Sequence, residues 1–330
     1  MTPRDNTTAV TGGSGLIGSE LVRALAAKGH ALRLLSRHPA ASLPAGITCV
    51  QGDIRSVEAV RQLVRGCSRV VHLAGISHTS LRSQAEISEA EQINAGGVAN
   101  LMEQCIAVGV ERVVLASSAL VYAGGQGIDL DEQSATDDDS VYARTKLQAE
   151  DISLQASQSG RIQVVIVRPC LTYGPGVRFN LAAMMRAIHR HYYFHLRGIN
   201  PKRSFLSVSN AAAAISHLLD SGESGKTYNL SDREPLSLVD FANSLADDMS
   251  VARPLTLPVS LIHAATTVTF PLHQLGLPMP VTRESLRKLT HSFTLDVGAL
   301  EKSGFCWLDD GQETRKKMVE TYLGAIGVRD

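Results

Sequence analysis

The feature that most constrains the fold is a glycine-rich turn at the first junction between a strand-like and a helix-like segment, Thr11-Gly12-Gly13-Ser14-Gly15-Leu16-Ile17-Gly18. A β-branched run at 7–11 precedes it, and a helical pattern at 16–28 follows and stops at Gly29. Gly12 suits a tight turn, Gly15 lets backbone N–H groups approach an anion, and Gly18 lets the helix pack closely on the strand. The helix N-terminus adds partial positive charge. Gly12, Gly15, Leu16, Ile17 and Gly18 therefore read as a pyrophosphate cradle, and the position at the first βα junction separates it from a merely structural turn.

The rest of the first half repeats the alternation. Strands are expected at 31–36, 48–51, 69–74, 112–116 and 162–168, and helices at 57–65, 87–108 and 142–158. Apolar strands alternating with helices predict an α/β fold, a doubly wound parallel sheet covered on both faces. After residue 168 the pattern changes. A helix is expected at 180–191, strands at 204–208 and 227–230 with a helix at 210–219 between them, and then short helices separated by prolines. This divides the chain into a dinucleotide-binding domain, 1–175 completed by 204–230, and a smaller substrate-binding domain, 176–203 with 231–330.

Composition narrows the partners. Lys plus Arg and Asp plus Glu both number 32, so a formal net charge of zero gives no support for nucleic acid or an anionic membrane. Five dispersed cysteines without a Cys-x-x-Cys pair read as free thiols in a reducing compartment. Residues 1–10 lack an apolar core of signal-peptide length, so a cytoplasmic location is expected. The apolar stretch 257–277 is interrupted by His263, Pro271, His273 and Gln274 and reads as one or two amphipathic helices, with no membrane insertion. A homodimer is left open.

The chemistry sits in Tyr142-Ala143-Arg144-Thr145-Lys146, where a phenol and an ammonium share one helix face. A free tyrosine, with pKa near ~10, is a poor acid–base catalyst at neutral pH. A neighbouring lysine cation is expected to lower it. Ser117-Ser118 ends the fifth strand, where open α/β sheets place their ligands, and its hydroxyl can hold a reacting oxygen. Ser118, Tyr142 and Lys146 are the candidate catalytic set. The second strand ends Leu34-Leu35-Ser36-Arg37-His38, without the acid that takes ribose hydroxyls. Ser36 and Arg37 suit a 2′-phosphate, which points to NADP(H), with NAD(H) the other option.

These segments, with Gly52-Asp53-Ile54-Arg55, His72-Leu73-Ala74-Gly75, Asn94, Arg168-Pro169 and Tyr173-Gly174-Pro175-Gly176, make the chain resemble the extended short-chain dehydrogenase/reductases, the NAD-dependent epimerase/dehydratase family with its Rossmann fold. The resemblance implies that Asp53 and Ile54 meet the adenine and that Leu73, Ala74 and Gly75 line the cofactor. It also implies that Lys146 holds the nicotinamide ribose beside Tyr142, with Pro169 among the cofactor contacts. It extends to bacterial UDP-4-keto-sugar reductases and UDP-sugar 4-epimerases of O-antigen synthesis, with Ser118, Tyr142, Asn180 and Arg203 on the substrate. Ser36 replaces the aspartate of the epimerases, and Leu171 replaces their phosphate-contacting asparagine.

Three functions follow. The first is an NADP(H)-dependent reductase of a 4-keto nucleotide sugar, with Tyr142 as proton donor. The second is an NAD-dependent UDP-sugar 4-epimerase, and the third a non-catalytic NADP-binding regulatory protein. The acidic run Asp137-Asp138-Asp139 reads as a solvated loop capping the Tyr142 helix, not a metal site, and no metal is expected. The cluster His189, His191 and His195 reads as a mixed helix end, with a sugar pocket as the alternative.

Overall fold

The computed structural model describes residues 5–38, 43–76, 83–122, 126–258 and 290–327. The first strands are β1 (Asp5–Thr11), β2 (Leu32–Ser36), β3 (Ile47–Gln51), β4 (Cys67–His72), β5 (Arg112–Ala116), β6 (Gly127–Leu130), β7 (Gln163–Pro169) and β8 (Leu171–Tyr173). They are followed by β9 (Phe194–Leu196), β10 (Lys202–Arg203), β11 (Phe205–Ser207), β12 (Thr227–Leu230), β13 (Leu236–Ser237), β14 (Leu255–Leu257) and β15 (Phe293–Leu295). The helices are α1 (Leu16–Ala27), α2 (Val57–Val64), α3 (Gln84–Glu91), α4 (Gly97–Val108), α5 (Val141–Gln158), α6 (Asn180–His189), α7 (Val208–Ser221), α8 (Leu238–Asp248), α9 (Gly298–Lys302) and α10 (Gln312–Ala325).

Seven strands form one parallel sheet in the order β12-β7-β5-β4-β1-β2-β3. The order reverses between β1 and β4, and a doubly wound sheet binds its ligand in the crevice outside that point. The inner strands are apolar on both faces because helices cover both. Val10, Val71, Val114 and Val165 pack with Leu21, Leu25, Ile215 and Leu218 on one side. On the other side Val70, Val113 and Val164 pack with Val60, Leu63, Leu101 and Ala149. Each such side chain contributes roughly 1.5–3 kcal/mol on burial. A third core joins Tyr173, Leu181, Met185, Phe205, Phe241 and Leu245 in the second half, with Phe205 stacked on Phe241 at 4.0 Å.

The structure departs from the expectation in three places. The helix expected at 87–108 is two helices, α3 and α4, joined by a π-helical turn at Gln92–Gly96. That turn directs the Asn94 side chain into the protein, where it meets strand-end backbone and α5. The strand at 204–208 stays outside the large sheet. β11 pairs with β8, because the β7 edge is taken by β12, and α7 begins at Val208 with the Ser207 hydroxyl accepting from the Asn210 N–H at 3.1 Å. Finally β6, from within 1–175, pairs with β15 in a small sheet ordered β13-β10-β15-β6.

A polar knot ties the C-terminal segment to the sheet. The Asp232 carboxylate accepts from the Tyr173 hydroxyl at 2.8 Å, the Asn210 amide at 2.8 Å and the Ser207 N–H at 3.1 Å. Asn210 also donates to the Asp309 carbonyl at 3.1 Å and accepts from the Leu308 N–H at 2.9 Å, just before α10. All five cysteines are free thiols. Among the described residues no helix is long and apolar enough to cross a membrane. The helices expected at 257–277 lie outside the described residues beyond residue 258.

Candidate active site

The site forms where β1, β4 and β5 end. Gly12 has φ +72°, and a Cβ there would lie 2.6 Å from the Ala74 nitrogen and the Leu73 carbonyl carbon. The two cofactor turns thus touch, and only glycine permits it. A Cβ on Gly18 would lie 2.1 Å from the Gly12 oxygen, so the helix could not sit this close to the turn with any side chain there. Gly15 caps α1 without a side-chain bond, and the first turn carries no acid. The leading amides around Leu16 and Ile17 are therefore open to an anion. The residues present fit a dinucleotide pyrophosphate.

Toward the adenosine side, the half-buried Ser36 hydroxyl donates to the His38 carbonyl at 2.7 Å, and Arg37 is exposed. The Arg55 guanidinium holds the Asp53 carboxylate at 2.8 and 2.9 Å. That pairing keeps Asp53 below the usual carboxylate range, with Arg37 adding to the effect. Ile54 is buried against Gly97.

The catalytic candidates converge. Ser140, and not an aspartate of the run before it, caps α5 by accepting from the Ala143 N–H at 3.0 Å. From there α5 carries Tyr142 and Lys146 inward, 9 % and 7 % exposed. The Ser118 hydroxyl lies beside the Tyr142 phenol and accepts from the Leu120 N–H at 3.1 Å. Lys146 Nζ donates to the Ala116 carbonyl at 2.9 Å and would stand 3.2 Å from a Cβ on Gly75. Burial pulls the Lys146 ammonium down to about 8, with Glu150 acting the other way.

One expectation needs correcting here. Burial pushes the Tyr142 phenol up, and the neighbouring Ser118, rather than Lys146, acts the other way. The Lys146 ammonium is turned to a backbone carbonyl, so its charge does not fall on the phenol oxygen. Tyr142 is therefore held protonated at neutral pH.

Two residues that entered only as part of the family resemblance turn out to hold the site's shape. Asn94, 1 % exposed, accepts from the Ile76 N–H at 2.8 Å and donates to the Ile76 carbonyl at 3.0 Å and the Thr145 hydroxyl at 3.1 Å, locking the turn beside Lys146 to α5. His72 shares a 2.7 Å bond with the Thr11 hydroxyl, and burial drives its pKa down to about 3, so it is neutral. A polar residue ending each of two apolar strands was the available signal.

Pro169 is half-buried at the end of β7. In the second half, Asn180 opens α6 and is exposed, directly after Phe179 at a strained φ of +59°. Arg203 lies half-buried on β10, donates to the His291 carbonyl at 3.3 Å, and has its pKa lowered by burial. His195 is buried with Nε2 at 3.0 Å from Asn243 Oδ1, His189 stands edge-on to Tyr322, and His191 is exposed.

A profile of the NAD dependent epimerase/dehydratase family matches residues 8–231, from β1 through the last strand of the large sheet. The chain belongs to this family. It is an enzyme of the extended short-chain dehydrogenase/reductase type. The short-chain dehydrogenase/reductase family 42E member 1 of Xenopus laevis is 31% identical over 324 residues, covering 89% of this chain and 83% of that protein. A UDP-glucose 4-epimerase of Vibrio cholerae is 28% identical over 245 residues, covering 72% and 74%. Among solved structures, MoeE5 in complex with UDP-glucose and NAD superimposes with a TM-score of 0.75 at 26% identity, covering 97% of this chain and 99% of the other.

Proposed function

We propose that this family member is an NADP(H)-dependent reductase of a 4-keto nucleotide sugar, UDP-linked, with Ser118 holding the reacting oxygen and Tyr142 donating the proton. The observation that carries the reading is the convergence of the buried Ser118, Tyr142 and Lys146 at the end of β5, with Lys146 Nζ on the Ala116 carbonyl and burial keeping the phenol protonated. A bound nicotinamide supplies the hydride. The residues do the rest: Ser118 orients the substrate oxygen, Tyr142 delivers a proton to it, and the closely packed Asn94 turn keeps Lys146 in place. Ser36 and Arg37, with no acid at the end of β2, support NADP(H) over NAD(H). Arg203 and Asn180 are assigned to the two phosphates of the nucleotide.

The second reading, 4-epimerisation with NAD, uses the same residues and is favoured by the likeness to a UDP-glucose 4-epimerase and to a UDP-glucose complex. Purified protein separates the two: an epimerase retains NAD, whereas a reductase binds and releases NADPH. Calorimetry tests the substrate class. UDP should bind, and Arg203→Ala should weaken it by about 1.5–3 kcal/mol, the usual worth of a charged hydrogen bond, while NADPH affinity is kept. No binding of UDP to either protein would remove the nucleotide sugar and leave another carbonyl compound as substrate.

A further inference from the structure

Tyr142, Lys146 and Glu150 follow one another at four-residue steps along α5, on its inward face, and all three are buried. Glu150 is gripped through both oxygens by Arg168, at 2.7 and 3.0 Å. Arg168 rises from the apolar strand β7, lies 5.0 Å from the centre of the Tyr122 ring and donates to the Tyr122 hydroxyl at 3.2 Å and the Glu132 carbonyl at 3.3 Å. Side-chain exposures of 8 % and 5 % place this ion pair inside the protein. A buried ion pair is a poor way to fasten a helix to a sheet, because apolar residues of similar volume do as well or better. Its position one turn beyond Lys146 gives it another use.

The groups facing Lys146 can be named element by element. From α5 come Tyr142, held protonated, and Glu150; from β4 comes His72, held neutral. The end of β5 offers the Ala116 carbonyl and Ser118, and the π-helical turn offers Asn94 beside Gly75, all uncharged. The Arg144–Glu91 pair, two residues along from Tyr142 and so on another face of α5, is a partly exposed contact at 3.5 Å. Glu150 is thus the buried negative charge in the set, and the two-point grip of Arg168 fixes its carboxylate in place.

We propose that Glu150, locked by Arg168, is a positioning residue that keeps Lys146 charged inside the protein. This rests on the reading of Lys146 as part of the catalytic set, yet the electrostatic claim is testable without substrate or cofactor. Protein labelled with ¹³C at the lysine ε-carbon is titrated by NMR, with the Lys146 signal assigned by its loss in Lys146→Arg. Glu150→Gln should move the Lys146 midpoint down by about one pH unit, the lower end of what an adjacent opposite charge supplies. Because that variant strands the Arg168 charge, Glu150→Gln/Arg168→Met is measured beside it and should show a smaller displacement in the same direction. Glu150→Asp, which keeps the charge, should hold the midpoint near the parent's. A Lys146 midpoint unmoved across the folded variants would overturn the proposal and leave the ion pair a structural tie. Absence of UDP binding would overturn the substrate assignment alone.

Discussion

Water stabilises an ammonium better than a protein interior does, and Lys146 has exchanged one for the other. Its folded-state value of about 8 lies below that of the unfolded chain, so the unfolded chain holds this proton more tightly. The resulting penalty is complete below about 8 and fades as pH climbs toward the ordinary lysine value near ~10.4. Lys146→Met should therefore stabilise the cofactor-free protein at pH 7 by about 1–3 kcal/mol while abolishing turnover. Thermal unfolding at pH 7 and pH 10 checks this, and the advantage of the variant should shrink at the higher pH. Tyr142→Phe removes only the phenol hydroxyl, the proposed proton donor. It should preserve fold and cofactor binding and lower turnover by at least ~10²-fold; steady-state rates within a few-fold of the parent would remove Tyr142 from its role.

Single elements hold the site in shape, and β4 is the clearest case. His72 ends this strand as a neutral imidazole with its folded value near 3, whereas the unfolded chain protonates near the ordinary histidine value of about 6.5. The stability it confers is complete above that value and is lost as pH falls toward 3, at roughly 1.4 kcal/mol per pH unit. His72→Gln should flatten this decline; urea unfolding at pH 7 and pH 5 should show a smaller loss for the variant than for the parent. This part of the site was hard to read in the sequence for a physical reason. Glycine turns and the Tyr142–Lys146 pair are defined by spacing along the chain, and they fell where expected. Asn94 depends on a π-helical turn that shifts the register of an otherwise regular helical pattern, and the expected direction of the Lys146 charge depended on which carbonyl it meets. Arg168 and Glu150 did leave a sign, a cation directly after Val164-Val165-Ile166-Val167 and an acid in line with Tyr142 and Lys146.

Across the whole molecule, a buried polar knot helps fasten the second half to the first. Asp232 gathers donors from Tyr173 on β8, Ser207 at the end of β11 and Asn210 at the start of α7, and Asn210 passes the connection to residues before α10. Asp232→Ala leaves those donors buried without an acceptor, and should cost about 3 kcal/mol or more; denaturant midpoints measure it, with protease sensitivity appearing first in the C-terminal segment. The alternating first half was legible because each strand sits in the large sheet next to others of the same apolar kind. Of the later strands, β11 and β12 fell within the segments expected at 204–208 and 227–230, but the pairing of β6, β8 and β11 was not legible, since they join small sheets whose partners lie far away in sequence.

The strand Thr227–Leu230 completes the sheet against β7, although the intervening chain builds other structure. During synthesis, then, the first seven-tenths of the protein must wait. Until residue 230 has left the ribosome, β7 presents the open edge of a long hydrophobic strand, an invitation to pairing with another nascent chain. At roughly 5–20 residues per second the exposure lasts for seconds. The chain is thus most exposed to aggregation while it is being made, and slower elongation between β7 and β12 would lengthen that interval.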